Sequence, residues 1–359
     1  MKILEVIPDL GSGGAEKFVV NLSNQFAKVG HDVTIVTLYD VTRDSIFDNF
    51  ISGAVRRKVL HKRKGIDIFC FFRLFFLVFL MKPDVVHAHV RAIPYLILPA
   101  LLYRKTNYFA TIHSEAKREA GNGFSKYMRF FLFKCHLVKP VTISSESKKS
   151  FEEFYDLPSS LIFNGSCAYI PSDEDLSLYR KNVDYLFVHI GRLLKVKNQL
   201  LLVRSVSYLL ERGYRIRLLI IGRKEDNSVF NQLEPYFSEN IVFLGERNNP
   251  SDYLNIADAF CLTSKVEGMP ITLIEAFSVG CIPVCTPAGG CVNMITNGIN
   301  GFLSRDMTLD SYIQSLQSLI ELNKDERIAM QEKSKTTFTS YYSINITATS
   351  YLNLFNNHD

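Results

Sequence analysis

The chain has 359 residues, enough for about two domains, and 47% of them are hydrophobic, which is ample for buried cores. Its formal net charge is only +5, with no recognition motif beside the basic residues, so nucleic acid is not an expected partner. The seven cysteines are odd in number and form no CxxC pair; they read as reduced core residues of a cytoplasmic protein, not as a metal or disulfide framework.

From the amino terminus the pattern is strand, loop, helix, repeated. MKILEVIP opens the chain on a strand, with no signal peptide before it. Gly11-Ser12-Gly13-Gly14-Ala15-Glu16 follows, and AEKFVVNLSNQFAKVG then carries Phe18, Val19, Leu22 and Phe26 on one helical stripe. A dinucleotide fingerprint needs glycine where Glu16 stands, so NAD is only weakly supported. Two readings of this loop stay open: close approach of a polar group to the backbone and helix N-terminus, or a merely tight turn. Further strand-like runs are DVTIVT (32–37), DVVHAH (84–89), YFATIH (108–113) and PVTISS (140–145).

Charge is unevenly spread along this first half. Residues 51–150 hold 19 Lys and Arg against 5 Asp and Glu, an excess of 14. Within it RRKVLHKRKG leads into IDIFCFFRLFFLVFLM (Ile66 to Met81), which Asp67 and Arg73 interrupt. A spanning helix needs about 20 apolar residues, so this stretch does not cross a bilayer. It is either a core helix of the first domain or a membrane-surface face beside basic residues and anionic headgroups.

The polar patch PSDEDLSLYRKNVD (171–184) breaks the pattern, and a second series follows: YLFVHIG (185–191), RLLIIG (217–222), IVFLG (241–245), AFCLTS (259–264) and IPVCT (282–286). Strands alternating with helices imply an α/β fold with parallel sheets covered on both faces. The expected organisation is a Rossmann-like domain at 1–170, a linker at 171–184, a second Rossmann-like domain at 185–340 across a central cleft, and a helical segment at 341–359 packing back toward the first domain. Asp173-Glu174-Asp175 has a D-x-D form, but it lies in the linker and reads as a solvated charge run.

The second domain carries the chemistry. After its first strand come Arg192 and Lys197, two cations at the start of a helix, a combination suited to a diphosphate. Later in the same domain EGMPITLIEA places Glu267 in a strand-to-helix loop and Glu275 in a helix opened by Pro270. In an open parallel sheet such loops form the ligand site. The bland alternative is one loop glutamate and one solvated helix glutamate.

GGAE, DVVHAH, TIHS, Asn164-Gly165, GRLLKVKN, EGMPITLIEA followed by GCIPV, and NGINGFLS occur in that order. Together they resemble the retaining glycosyltransferases of family 4, with the GT-B fold, over essentially the whole chain. The resemblance implies that Arg192 and Lys197 hold the diphosphate of a nucleotide diphosphate sugar and that Glu275 bonds the ribose hydroxyls. Glu267 would contact the donor sugar near its reacting carbon, helped by the backbone amides of Gly268, Met269, Pro270 and Ile271. His113 would reach that sugar from the first domain, where a structural histidine is the alternative; His87 and His89 would orient strands and loops. Gly13 and Gly14 would line the diphosphate or acceptor loop. No cofactor is implied: the cations replace a metal at the leaving group, and no pyridoxal phosphate lysine motif is present. Many relatives have a GDGP-like turn where this chain has Gly222-Arg223-Lys224-Glu225, which leaves the nucleotide base open. The implied acceptor is a lipid-linked or cell-surface glycan at the cytoplasmic face of an anionic membrane. An epimerase of nucleotide sugars and a non-catalytic sugar-nucleotide binding protein are the rival readings.

Overall fold

A computed structural model describes residues 1–11, 13–40, 46–121 and 123–356. Ser12 of the glycine loop and the last three residues of the C-terminal segment lie outside the described residues. The chain divides into two compact units, Met1–Ser166 with Ile344–Asp359, and Cys167–Ser343.

The first unit is built on β1 (Lys2–Ile7), β2 (Asp32–Thr37), β3 (Arg56–Val59), β4 (Val85–His89), β5 (Asn107–Ile112), β6 (Lys139–Thr142) and β7 (Ser160–Leu161). They pair in parallel in the order β3-β2-β1-β4-β5-β6-β7. The order reverses between β1 and β4, which makes their carboxyl ends the topological switch point where open sheets take ligands. The strands are apolar because helices cover both faces. One such helix is α1 (Gly14–Lys28), whose Phe18, Val19, Leu22 and Phe26 are all buried. The C-terminal helix Ile344–Asn356 belongs to this unit too, and sets Phe355 against Phe26 and Phe109.

The apolar stretch becomes α2 (Ile68–Met81), capped by Asp67, which accepts from the backbone of Cys70. The core-helix reading accounts for one stripe alone: Cys70, Phe71, Leu74 and Val78 are buried. Ile68, Phe69, Phe72, Phe76, Phe79 and Leu80 are exposed on the other side. The basic run just before it supplies the edge strand β3, with alternately exposed residues, which the sequence did not reveal as a strand. Among the described residues, no helix is long and apolar enough to cross a membrane.

The second unit holds β8 (Tyr185–Ile190), β9 (Ile216–Ile221), β10 (Ile241–Gly245), β11 (Ala259–Leu262), β12 (Ile282–Cys285) and β13 (Phe302–Leu303). These also pair in parallel, in the order β10-β9-β8-β11-β12-β13, and the order reverses between β8 and β11. The polar stretch after residue 170 lies against this unit. Ser172 Oγ donates to Asp252 Oδ2 at 2.5 Å, and Asn249 Nδ2 donates to Glu174 Oε2 at 2.7 Å. Asp173, Glu174 and Asp175 are all exposed. Cys281, Cys285 and Cys291 are buried free thiols.

Candidate active site

In the second unit the switch between β8 and β11 brings two distant loops together. The loop after β8 runs Gly191 to Asn198 and ends in a 3₁₀ turn, Lys195–Lys197, directly before the helix Gln199–Glu211. The loop after β11 runs from Thr263 to Pro270. Lys265 N–H donates to Val196 O at 2.8 Å, and Thr263 Oγ1 donates to the Lys197 and Asn198 carbonyls, so the two loops are stitched to each other. Lys197 Nζ consequently stands 2.6 Å from Glu267 Oε1, and the Ser264 hydroxyl donates to the same oxygen. The Glu267 side chain is only 9% exposed and that of Lys197 22%, so this is a partly desolvated, charge-assisted contact.

Arg192 takes a different partner. Its Nη1 lies 3.1 Å from Glu225 Oε2, on the turn after β9, and both side chains are about one-third exposed. That turn folds onto the β8 loop: Leu193 N–H donates to Arg223 O and Asp226 N–H to Leu193 O. Behind Arg192, Gln199 donates to its carbonyl at 2.9 Å and to His189 Nε2 at 3.3 Å, while His189 Nδ1–H donates to Cys261 O at 2.9 Å. Burial pushes the His189 imidazole down to about 4, so it stays neutral and can both donate and accept.

Pro270 is the cap, and the helix itself begins at Ile271 and runs to Val279, one position later than the sequence suggested. Glu275 is its fifth residue and is buried. The Glu267-Gly268 backbone rests on Gly289 and Gly290, which the sequence reading passed over. Gly290 N–H donates to Gly268 O at 2.9 Å. A Cβ on Gly289 would stand 1.8 Å from Glu267 O, and one on Gly290 2.4 Å from Gly268 O, so only glycine fits this close approach. The available signal was the Gly-Gly pair in the loop after β12. Ser264 and His189 were passed over as well, since neither carries a motif of its own.

In the first unit, Gly13 caps α1 and Gly14 is its first residue. His113 follows β5 at the carboxyl end of the sheet, beside His89, with His89 Nδ1 and His113 Nε2 2.9 Å apart. Its backbone N–H and that of Ser114 donate to Glu119 Oε2 at 2.7 and 3.1 Å. Glu119 Oε1 is in turn 3.3 Å from Arg129 Nη1, a guanidinium with 1% exposure. Burial holds the His113 imidazole well below its ordinary range. Glu5, His87 and His89 are wholly buried behind it, with ligand atoms within 4.8 Å of one another.

Two family models cover most of the chain: glycosyl transferases group 1 over residues 176–337, and glycosyltransferase family 4 over residues 12–165. This chain belongs to the family 4 glycosyltransferases. A glycosyltransferase of Haemophilus influenzae is 23% identical over 347 residues, 95% of this chain and 96% of its own length. An Escherichia coli UDP-Gal:alpha-D-GlcNAc-diphosphoundecaprenol alpha-1,3-galactosyltransferase is 26% identical, over 78% of this chain and 76% of its own. Among solved structures, a glycosyltransferase from Rickettsia africae superposes with a TM-score of 0.82 at 20% identity, covering 99% of this chain and 97% of that one. HepE from Anabaena, in complex with UDP, also gives 0.82, at 16% identity and 99% coverage of both chains. The two parallel-sheet units of this glycosyltransferase are therefore those of the GT-B fold.

Proposed function

We propose that this glycosyltransferase moves a sugar, with retention of configuration and without a metal, from a nucleotide diphosphate sugar to a hydroxyl of a lipid-linked or cell-surface glycan precursor. The observation that carries the reading is the Lys197–Glu267 contact at the carboxyl ends of β8 and β11. It sets a cation for phosphate and an anion for sugar hydroxyls side by side at a switch point. Arg192 and Lys197 take the diphosphate, Glu275 the ribose, Glu267 and His113 the sugar. Of the segment after Glu267, Gly268, Met269 and Ile271 offer backbone N–H groups, and Pro270 sets the turn. Gly13 and Gly14 serve the diphosphate or acceptor loop.

In the proposed step the bond from the anomeric carbon to the diphosphate oxygen breaks and a bond to the acceptor oxygen forms on the same face. The acceptor proton passes to the departing diphosphate. Negative charge that grows on the leaving group is met by Arg192 and Lys197. Uridine is the first base to test, because HepE is solved with UDP and UDP-glucose and the E. coli relative uses UDP-Gal.

The same reading sets the enzyme on the cytoplasmic face of an anionic membrane. The exposed phenylalanines of α2 are flanked by exposed Arg63, Lys64, Lys82, Arg104 and Lys105. Apolar side chains for the acyl boundary and cations for headgroups form one complementary surface. The E. coli relative and a Campylobacter jejuni relative, 27% identical over 142 residues, are both named for undecaprenol-diphosphate acceptors.

The test is a titration of UDP, alongside turnover of a panel of nucleotide sugars with and without EDTA. Glu275→Gln should weaken UDP binding, while Glu267→Gln should leave it nearly unchanged and lower turnover by about 10²-fold. Equal loss of UDP affinity in both variants refutes the division of roles. Activity lost to EDTA and restored by Mg²⁺ or Mn²⁺ refutes metal independence. An epimerised donor formed without an acceptor makes the chain an epimerase.

A further inference from the structure

A directed chain of hydrogen bonds runs through the interior of the first sheet and ends at His113. Register places Glu5 of β1 opposite His87 of β4, and His89 two residues on faces the same side. His89 Nε2 lies 2.7 Å and His87 Nδ1 3.0 Å from the same oxygen, Glu5 Oε2. Burial alone would raise the Glu5 carboxyl, but the two imidazoles hold it down at about 2. Glu5 is thus a carboxylate and accepts only.

The directions of the other bonds follow. His87 Nδ1–H and His89 Nε2–H donate to Glu5. Thr111 Oγ1 lies 2.7 Å from His87 Nε2, and Tyr351 OH lies 2.8 Å from Thr111 Oγ1. Burial keeps His89 at about 4, so its ring is neutral and has one N–H, already given to Glu5. Its Nδ1 is a lone pair. The 2.9 Å contact between His89 Nδ1 and His113 Nε2 then requires His113 to be the donor. A neutral His113 has its lone pair at Nδ1, and that atom has no hydrogen-bond partner among the described residues. Phe18 packs edge-on against His89 and His113, with ring centroids 6.3 and 5.6 Å away.

We infer that Glu5, acting through His89, is a positioning residue that sets the ring tautomer of His113, so that His113 presents Nδ1 as a hydrogen-bond acceptor to a hydroxyl of the donor sugar. This rests on the sugar-contacting role proposed above for His113. A cation bound by Glu5, His87 and His89 would break the chain, because both imidazole–carboxylate hydrogen bonds would have to open.

The experiment reads the tautomer directly, by ¹⁵N NMR of the histidine rings in the intact protein, with His113→Ala assigning the resonance. Wild type is expected to show Nε2–H and a bare Nδ1 at His113. In Glu5→Gln the amide N–H₂ donates to a ring, reverses the chain, and moves the His113 proton to Nδ1; kcat/KM for the donor should fall about tenfold while UDP affinity stays unchanged. Should Glu5→Gln fail to fold, His89→Gln and His89→Leu replace it. The glutamine keeps one donor and one acceptor and should retain the wild-type tautomer, whereas the leucine should lose it. An Nδ1–H His113 in wild type overturns the inference. So does a tautomer indifferent to these substitutions, or stoichiometric Zn²⁺ binding lost in His89→Leu. If the tautomer behaves as stated but His113→Ala uses the donor normally, the sugar contact fails and the positioning of the ring stands.

Discussion

Lys197 and Glu267 stand 70 positions apart in the chain, yet the lysine Nζ lies 2.6 Å from the glutamate Oε1. Each neutralises the other in a partly desolvated site, and the Ser264 hydroxyl holds the carboxylate in place. The pair is a reserve of charge at the site proposed for the donor, with each member given a different part of the ligand.

Coupling between the two is the first measurable consequence. Lys197→Ala strands a carboxylate that is mostly shielded from water, so it should destabilise the protein by about 2 kcal/mol. Adding Glu267→Gln should recover part of that loss. A double-mutant cycle from urea unfolding should give an interaction of about 1 kcal/mol or more. Strict additivity would show that the contact carries no energy.

Arg192 should behave differently. Its contact with Glu225 is about one-third exposed on both sides, where ion pairs are worth roughly 0–1 kcal/mol. Arg192→Ala should therefore leave the unfolding midpoint nearly unchanged while raising the barrier to transfer by about 2 kcal/mol or more. Glu225→Gln should preserve donor use. Steady-state kinetics beside thermal unfolding decides the case, and wild-type turnover by Arg192→Ala would remove Arg192 from the diphosphate site.

Acid should begin to weaken the fold as pH falls below about 6.5. His89 and His189 are buried and held near 4, and His113 lies well below its ordinary range. The unfolded chain protonates these rings near pH 6.5, so between about pH 6.5 and 4 it binds more protons than the folded chain. Their stabilisation is complete above pH 6.5 and is lost as pH falls, by up to about 1.4 kcal/mol per pH unit for each ring. Glu5, held at about 2, adds its own loss only below the ordinary carboxylate range. Urea midpoints that stay flat or rise from pH 7 to pH 5 would contradict this.

Vesicle binding should depend on both halves of the α2 surface. Sedimentation with anionic vesicles should be strong at low salt and released as salt rises, since screening shortens to about 10 Å at 0.1 M. Phe72→Ser with Phe76→Ser should weaken it at every salt concentration, because both rings are exposed and support no core. Equal sedimentation with neutral and anionic vesicles would remove the electrostatic half of the proposal.

The sequence by itself determined the two parallel-sheet units and most of their strands. Buried parallel strands read as near-continuous apolar runs, and KILEVI, YLFVHI and RLLII are such runs, broken only by Lys2, Glu5, His189 and Arg217. It also singled out Arg192, Lys197 and Glu267, charged residues in the loops past buried strands, and Glu275 in the helix that follows Glu267. Strand order lay beyond it. Nothing local to GRLLKVKN or EGMPITLIEA says that β8 and β11 are neighbours, and that adjacency alone joins Lys197 to Glu267. The Glu5–His89–His113 chain depends in the same way on register between β1 and β4, a relation between segments over 80 residues apart. The edge strand Arg56–Val59 escaped notice because an edge exposes its side chains and so needs no apolar run. Which side of α2 faces the core was equally illegible. A helix with phenylalanines all round has no amphipathic stripe to read, and only the packing partners around Cys70, Leu74 and Val78 decided it.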